Sequence, residues 1–171
     1  YEGTTAIQGQ DLFFRKIVKD KGRAIGHLAA EIQAFAEGDA GNGRLKVERE
    51  LLAKGLEDTQ AILGAVFNDL MASNPADEKG DLKNIYKVGL NTTRLVYVLG
   101  DLVVSWLLLR GAAVAQAALD AGATGSEKSF YEGKVAAASF FVKNTLPKLA
   151  SERAIAENID DSIMELDEAA F

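Results

Sequence analysis

Cysteine is absent from the 171 residues, and histidine occurs once. The first absence removes disulfides, thiolate catalysis, zinc–thiolate sites and iron–sulfur clusters together. The second removes any chemistry that needs two imidazoles. Proline occurs only 2 times, so little interrupts a helix. Basic residues are in the minority: 19 Lys and Arg stand against 25 Asp and Glu, a net charge of -6. That balance argues against nucleic-acid binding as the main task. A membrane-spanning helix needs about 20 apolar residues with few charges. The most apolar stretch, residues 95–109, holds Asp101 and stops at Arg110, so it reads as a buried core helix. The opening Tyr1-Glu2-Gly3-Thr4 is no signal peptide, and the expected compartment is the cytoplasm.

What is present favours long helices. Hydrophobic residues make up 48% and charged residues 26%, with mean hydropathy +0.00, a globular balance rather than a disordered one. A chain of this length buries roughly 70% of the surface its unfolded form exposes, so a core needs no metal or disulfide. Helix one begins at Thr4 or Thr5, where Thr5-x-x-Gln8 fits a capping box. Its apolar residues Ile7, Leu12, Phe13, Phe14, Ile17 and Val18 spread round the helix, which implies burial against more than one neighbour. Helix two spans residues 23–37, with Ile25, Leu28, Ile32 and Phe35 on one face. Residues 38–43 form a turn by composition. Helix three spans 44–72 with a stripe through Leu45, Leu52, Leu56, Leu63, Phe67 and Leu70. It ends at Ser73-Asn74-Pro75, because the residue before proline is pushed out of the α region.

Helix four carries the strongest pattern. Ile85, Val88, Thr92, Leu95, Leu99, Leu102, Trp106, Leu109 and Ala113 alternate steps of three and four. That heptad seam packs against antiparallel neighbours at about 20°. Leu99, in mid-seam, is expected to be among the most costly residues to truncate. Gly89, Gly100 and Gly111 recur at a fixed interval on nearly one face. Each weakens the helix by ~1 kcal/mol relative to alanine, and the expected compensation is close approach of a neighbouring helix. Ser126 is a plausible N-cap for helix five, and Pro147 should kink that helix. From Glu157 onward the tail carries acids and no base. Strand-like alternation and repeats are absent. The predicted class is all-α: an up-and-down bundle of long antiparallel helices with an extra N-terminal helix.

The octet Tyr1-Glu2-Gly3-Thr4-Thr5-Ala6-Ile7-Gln8 resembles the Y-E-G-T-x-x-I-Q signature of the acyl-CoA dehydrogenases. Gly9-Gln10-Asp11-Leu12-Phe13-Phe14-Arg15-Lys16 resembles the helix that follows it. The resemblance implies a catalytic role for Glu2, as the base that takes the α proton of an acyl-CoA thioester while the β hydride passes to FAD. A carboxylate suits that task when burial raises its pKa toward the working range. It also implies that Gly3, Thr4 and Gln8 lie on the FAD side. A glycine lets backbone approach a ligand, and a helix N-terminus presents free amides to anionic groups. No metal is implied. The family's catalytic core has an N-terminal helical domain, a central β domain and a C-terminal helical bundle, of which this chain would hold only the end. Residues 1–21 are then the last helix of that core, 22–157 an accessory helical bundle such as some members carry, and 158–171 an acidic amphipathic tail.

Other candidates are weaker. His27 is expected to be an ordinary exposed or packed histidine. Glu31, Glu37 and Asp39 lack the Glu-x-x-His spacing of a di-iron bundle. The Asp39–Gly43 stretch lacks the closing acid of an EF-hand loop. Asp101 and Arg110 are expected to find partners across helices, and Trp106 to sit in the core.

Two functional readings follow. In one, the chain is a C-terminal fragment, inactive alone, of an enzyme that oxidises acyl-CoA with FAD and passes electrons to an acceptor. In the other, it is a helical interaction or oligomerisation module. A homo-oligomer is expected. Membrane docking ranks lower, because Arg15, Lys16, Lys19, Lys21 and Arg23 are offset by the acidic tail. Leu12, Phe13, Phe14, Ile17 and Val18 would lie against parts of the family's core that this chain does not hold. A swap-like dimer through helix one is favoured over folding back as the way to cover them.

Overall fold

The computed structural model describes residues 4–170. Six helices follow in order: α1 (Thr5–Gln10), α2 (Arg23–Glu37), α3 (Lys46–Ala72), α4 (Asn84–Asp120), α5 (Gly125–Thr145) and α6 (Leu149–Glu157). No strand occurs among the described residues. α1 continues into π-helical turns over Asp11–Val18. A short 3₁₀ turn at Leu146–Lys148 separates α5 from α6, as Pro147 requires, because a proline nitrogen cannot donate to the preceding turn. The expected all-α bundle is what forms.

α4 is the axis of the bundle. It packs against α3 and α5 along their lengths, while α1 lies across its N-terminal half and α6, carrying on from α5, packs on α3. Val88, Leu95, Leu102 and Leu109 are fully buried, as the heptad seam predicts. Trp106 is also in the core, with its indole Nε1 unpaired. Leu99 departs from the expectation. It is only partly buried and lines a groove with Leu28 and Val103, because the gap between α2 and α4 widens there.

The glycines also departed from expectation. A Cβ on Gly100 or Gly111 would meet nothing within 4 Å, and the same holds for Gly89. No described helix of this chain comes close to them. Close approach occurs instead at Gly9, where a Cβ would sit 2.8 Å from the backbone oxygen of Thr92. This buried glycine lets α1 rest directly on the backbone of α4. Gly55 plays a similar part in α3, with Leu146 of the 3₁₀ turn 3.0 Å from where a Cβ would be.

The N-terminal helix folds back on its own chain. Phe13 is fully buried and Ile17 nearly so, and the Phe13 ring lies 5.2 Å from that of Phe67. Their cover is therefore present within the chain, and no exchange of α1 between copies is needed to supply it. Lys21 and Gly22 make the return with positive φ angles of 60° and 73°.

Capping differs from the sequence-based expectation in two places. Thr5 is already helical, and the backbone carbonyl of Thr4 accepts the Gln8 amide at 2.9 Å, so the Thr5–Gln8 box does not form. Ser126 lies inside α5, whose N-cap is Thr124. At α2, the Asp20 carboxylate accepts the amides of Arg23 and Ala24 at 3.1 and 3.0 Å. It occupies the place where a negative charge is favoured by the helix dipole.

Two substitutions test this packing. Leu102→Ala should lower stability by ~2–5 kcal/mol, the range for a buried leucine, and Leu99→Ala by clearly less. Gly9→Ala should cost ~1–3 kcal/mol, because the added methyl meets backbone rather than a movable side chain. Urea denaturation followed by circular dichroism checks all three. A Leu99 variant as damaged as the Leu102 variant would contradict the open groove.

Candidate functional site

Glu2 and Gly3, the expected base and its neighbour, lie outside the described residues, as does Tyr1. Thr4 and Gln8 are described, and both are exposed at the start of α1. One turn on, Asp11 accepts a hydrogen bond from Arg15 at 2.6 Å. The structure therefore presents Thr4 and Gln8 on one accessible edge. It fixes that edge relative to α4 through the contact of Gly9 with Thr92.

The polar groups that the fold does gather lie elsewhere. Glu48, buried on α3, accepts hydrogen bonds from Ser139 Oγ at 2.6 Å and Lys143 Nζ at 2.8 Å, both on α5. Burial pushes its carboxyl upward. The hydrogen bonds from Lys143 and Ser139, a backbone hydrogen bond and the charge of Lys143 together outweigh that and hold it below the ordinary 4.5. Asp58, also buried on α3, is held by Lys54 at 3.1 Å and by Arg153 of α6 at 3.3 Å. Arg94 of α4 pairs with Glu152 of α6 and donates to the Asn91 side chain at 3.2 Å. Asn91 in turn donates to the carbonyl of Ala156. At the far end of α4, Asp120 accepts from Asn42 at 2.6 Å and pairs with Arg44 at 2.6 Å. The Asn42 hydrogen bond is the main reason its carboxyl is lowered. Arg49 donates to the Ala36 carbonyl at 3.1 Å, satisfying one of the last carbonyls of α2.

Each cluster ties two elements together, and the hydroxyl of Ser139 donates to a Glu48 carboxylate already engaged by Lys143. No group of three or more potential metal ligands occurs among the described residues. His27 sits exposed beside Glu31 at 3.2 Å, the ordinary role expected of it. Among the described residues Arg110 finds no partner on another helix: its guanidinium lies 4.8 Å over the Trp106 ring of its own helix. Asp101 faces Lys148 and Glu152 across a groove of about 460 Å³, and burial is the main reason its carboxyl is raised.

Glu48 and Asp58 escaped the sequence reading. For Glu48 a signal existed, since it falls between Leu45 and Leu52 on the apolar stripe of α3. An acid there must be paired or pay a large desolvation cost. For Asp20 the signal was an acid just ahead of a helix start, masked by the intervening Lys21-Gly22.

Comparison with known proteins points one way. Residues 28–167 match the family model described as acetyl-CoA dehydrogenase C-terminal like. The whole chain is 60% identical to 27% of the broad-specificity linear acyl-CoA dehydrogenase FadE5 of Mycobacterium tuberculosis. It is 29% identical, over 96% of its length and 26% of the relative, to 3-methylmercaptopropionyl-CoA dehydrogenase of Ruegeria pomeroyi. It is 26% identical, over its whole length and 26% of the relative, to a butyryl-CoA dehydrogenase of Syntrophomonas wolfei. The chain thus spans about a quarter of the length of these curated relatives.

The Glu48 cluster makes a pH prediction of its own. A carboxyl lowered on folding adds stability that is present above its unfolded value and lost as pH falls through its folded value. Glu48→Gln should cost ~1 kcal/mol at pH 7, discounted for the half-exposed Lys143. The gap to the unsubstituted protein should close as pH falls below 4.5. Urea titrations at pH 7 and below pH 4 measure it. A gap independent of pH would mean that charge at Glu48 contributes nothing.

Proposed function

The chain belongs to the acetyl-CoA dehydrogenase C-terminal-like family, and from that premise we propose that it is the C-terminal helical part of a flavin-dependent acyl-CoA dehydrogenase. Such an enzyme oxidises an acyl-CoA to the 2-enoyl-CoA, in fatty-acid β-oxidation or related acyl-CoA metabolism, and hands electrons to a separate acceptor. The observation that carries the reading is the family match over residues 28–167, joined to 60% identity across the whole chain with one acyl-CoA dehydrogenase. The octet ending at Gln8 supports it, because it supplies a carboxylate in the place the family uses.

In this reading residues 1–21 close the catalytic core, 22–157 are the accessory bundle and 158–171 the acidic tail. Glu2 takes the proton α to the thioester carbonyl. When bound, FAD would supply the acceptor for the β hydride. Thr4 and Gln8 fit one flank of that cofactor, since both are exposed and carry hydrogen-bonding groups at the start of α1. The walls around the flavin ring and the acyl chain would come from other parts of the enzyme. A homo-oligomer working in the cytoplasm completes the proposal.

The test uses an enzyme that carries this chain at its C-terminus. Glu2→Gln should leave flavin content unchanged and lower turnover by ~10²–10⁴-fold, the general-base contribution, read as acyl-CoA-dependent bleaching of the flavin. The 171-residue chain alone should purify colourless. Stoichiometric flavin on the chain alone, or near-normal turnover of the variant, would contradict the assignments made here.

A further inference from the structure

Of the six residues of α1, only Gly9 is buried. Ile7 is 65% exposed, and Ala6, Gln8 and Gln10 also face outward. The first turns of this helix therefore rest on the bundle at one residue. The seat is tight: a Cβ on Gly9 would lie 2.8 Å from the carbonyl oxygen of Thr92 and 2.9 Å from its carbonyl carbon. Among the described glycines, no other would set a Cβ against the backbone of a different helix.

The α4 side of this seat is held fast. Thr92 is fully buried, and its hydroxyl donates to the Gly89 carbonyl at 2.9 Å. The residues around it are tied to α6: Asn91 donates to the Ala156 carbonyl, and Arg94 pairs with Glu152. Farther along the first helix, Phe13 is fully buried, with its ring 5.2 Å from that of Phe67. A methyl added at Gly9 is therefore accommodated by the start of α1, swinging about Phe13. Reaching ordinary contact takes a shift of roughly half an ångström at Gly9. Thr4 moves with the helix, because its carbonyl accepts the Gln8 amide at 2.9 Å. It stands about twice as far from the pivot as Gly9, so it shifts by about 1 Å. Misplacing a reacting group by about 1 Å costs on the order of 10²-fold in rate.

We infer that Gly9 is a positioning residue for the reaction: its missing side chain sets how α1 sits on α4, and so where the octet containing Glu2 stands. Glu2 itself lies outside the described residues, and the inference rests on its proposed role as the base. The bundle then takes part in catalysis without touching substrate. Asn91 and Arg94 hold the stretch of α4 against which the base is aligned.

The test uses an enzyme that carries this chain at its C-terminus. Gly9→Ala should lower kcat by ~10–10²-fold, with KM within about twofold and flavin content unchanged. Exchange of the substrate's α hydrogen with solvent deuterium should fall by the same factor, because it needs the base and not hydride transfer. Leu102→Ala separates misplacement from lost stability. It removes as much folding stability or more, but lies ten residues beyond Thr92, so turnover per bound flavin should hold. A third readout needs no activity. In the 171-residue chain, Arg94→Met loosens α4 from α6 behind the seat and should shift the amide resonances of Gln8 and Gly9. Normal turnover of Gly9→Ala beside an inactive Glu2→Gln would overturn the positioning role and leave the base assignment standing. Turnover retained by Glu2→Gln would remove the base assignment, and the inference with it. Flavin loss or a raised KM in Gly9→Ala, an equal fall in the Leu102→Ala enzyme, or unmoved resonances in Arg94→Met would each also overturn the inference.

Discussion

Burial of the inner seam of α4 is the constraint on which the other elements depend. Val88, Leu95, Leu102 and Leu109 lie at successive turns and are closed off by α3 on one side and α5 on the other. Each such side chain contributes ~1.5–3 kcal/mol on leaving water. A helix of 37 residues offers that surface only if its neighbours are also long and nearly antiparallel. The turns at 38–45, 73–83 and 121–124 then need only reverse the chain, while the 3₁₀ turn at Leu146–Lys148 lets α6 carry on along α3 in the direction of α5. α1 and α6 fill the places that remain, α1 by laying Gly9 on the Thr92 backbone and α6 by continuing the path of α5 along α3.

Apolar packing alone leaves helices free to slide and rotate, and the buried ions remove that freedom. Glu48 joins α3 to α5, Asp58 joins α3 to α6, and Arg94 with Asn91 joins α4 to α6. Such pairs add little net stability because desolvation offsets attraction. Shifting a helix would leave a charge buried and unpaired, which is far more costly. Glu48 and Asp58 both project from α3, so one helix sets the position of the two that follow α4. Asp120, with Asn42 and Arg44, does the same for the loop before α3.

This architecture places the proposed chemistry at the edge of the bundle. The signature octet runs into α1, and α1 is fixed to α4 by a glycine that admits no side chain. Anything that positions α4 therefore positions the start of α1 with it. The later helices bear on the start of α1 through that contact and through Phe13, whose ring meets Phe67 of α3, and Thr4 and Gln8 stand on its exposed edge.

Much of this was legible in the residues alone. The all-α class, the limits of α2, the break at Pro147 and the inner seam of α4 follow from periodicity and proline, which act within a few turns of one helix. The octet was legible because its residue types and spacing are specific. Tertiary structure decided the remainder. Leu99 follows the same heptad as Leu102, but the gap between α2 and α4 leaves it half open. Gly9 and Gly100 look alike in sequence, yet a Cβ on one would meet backbone and on the other would meet none of the described residues. Glu48 lies on an apolar stripe, and only the approach of Ser139 and Lys143 from α5 makes its charge tolerable there. Local pattern determines which residues form a helix and which face is apolar. Which neighbour meets that face, at what distance, depends on contacts between residues far apart in sequence, and no local period encodes those.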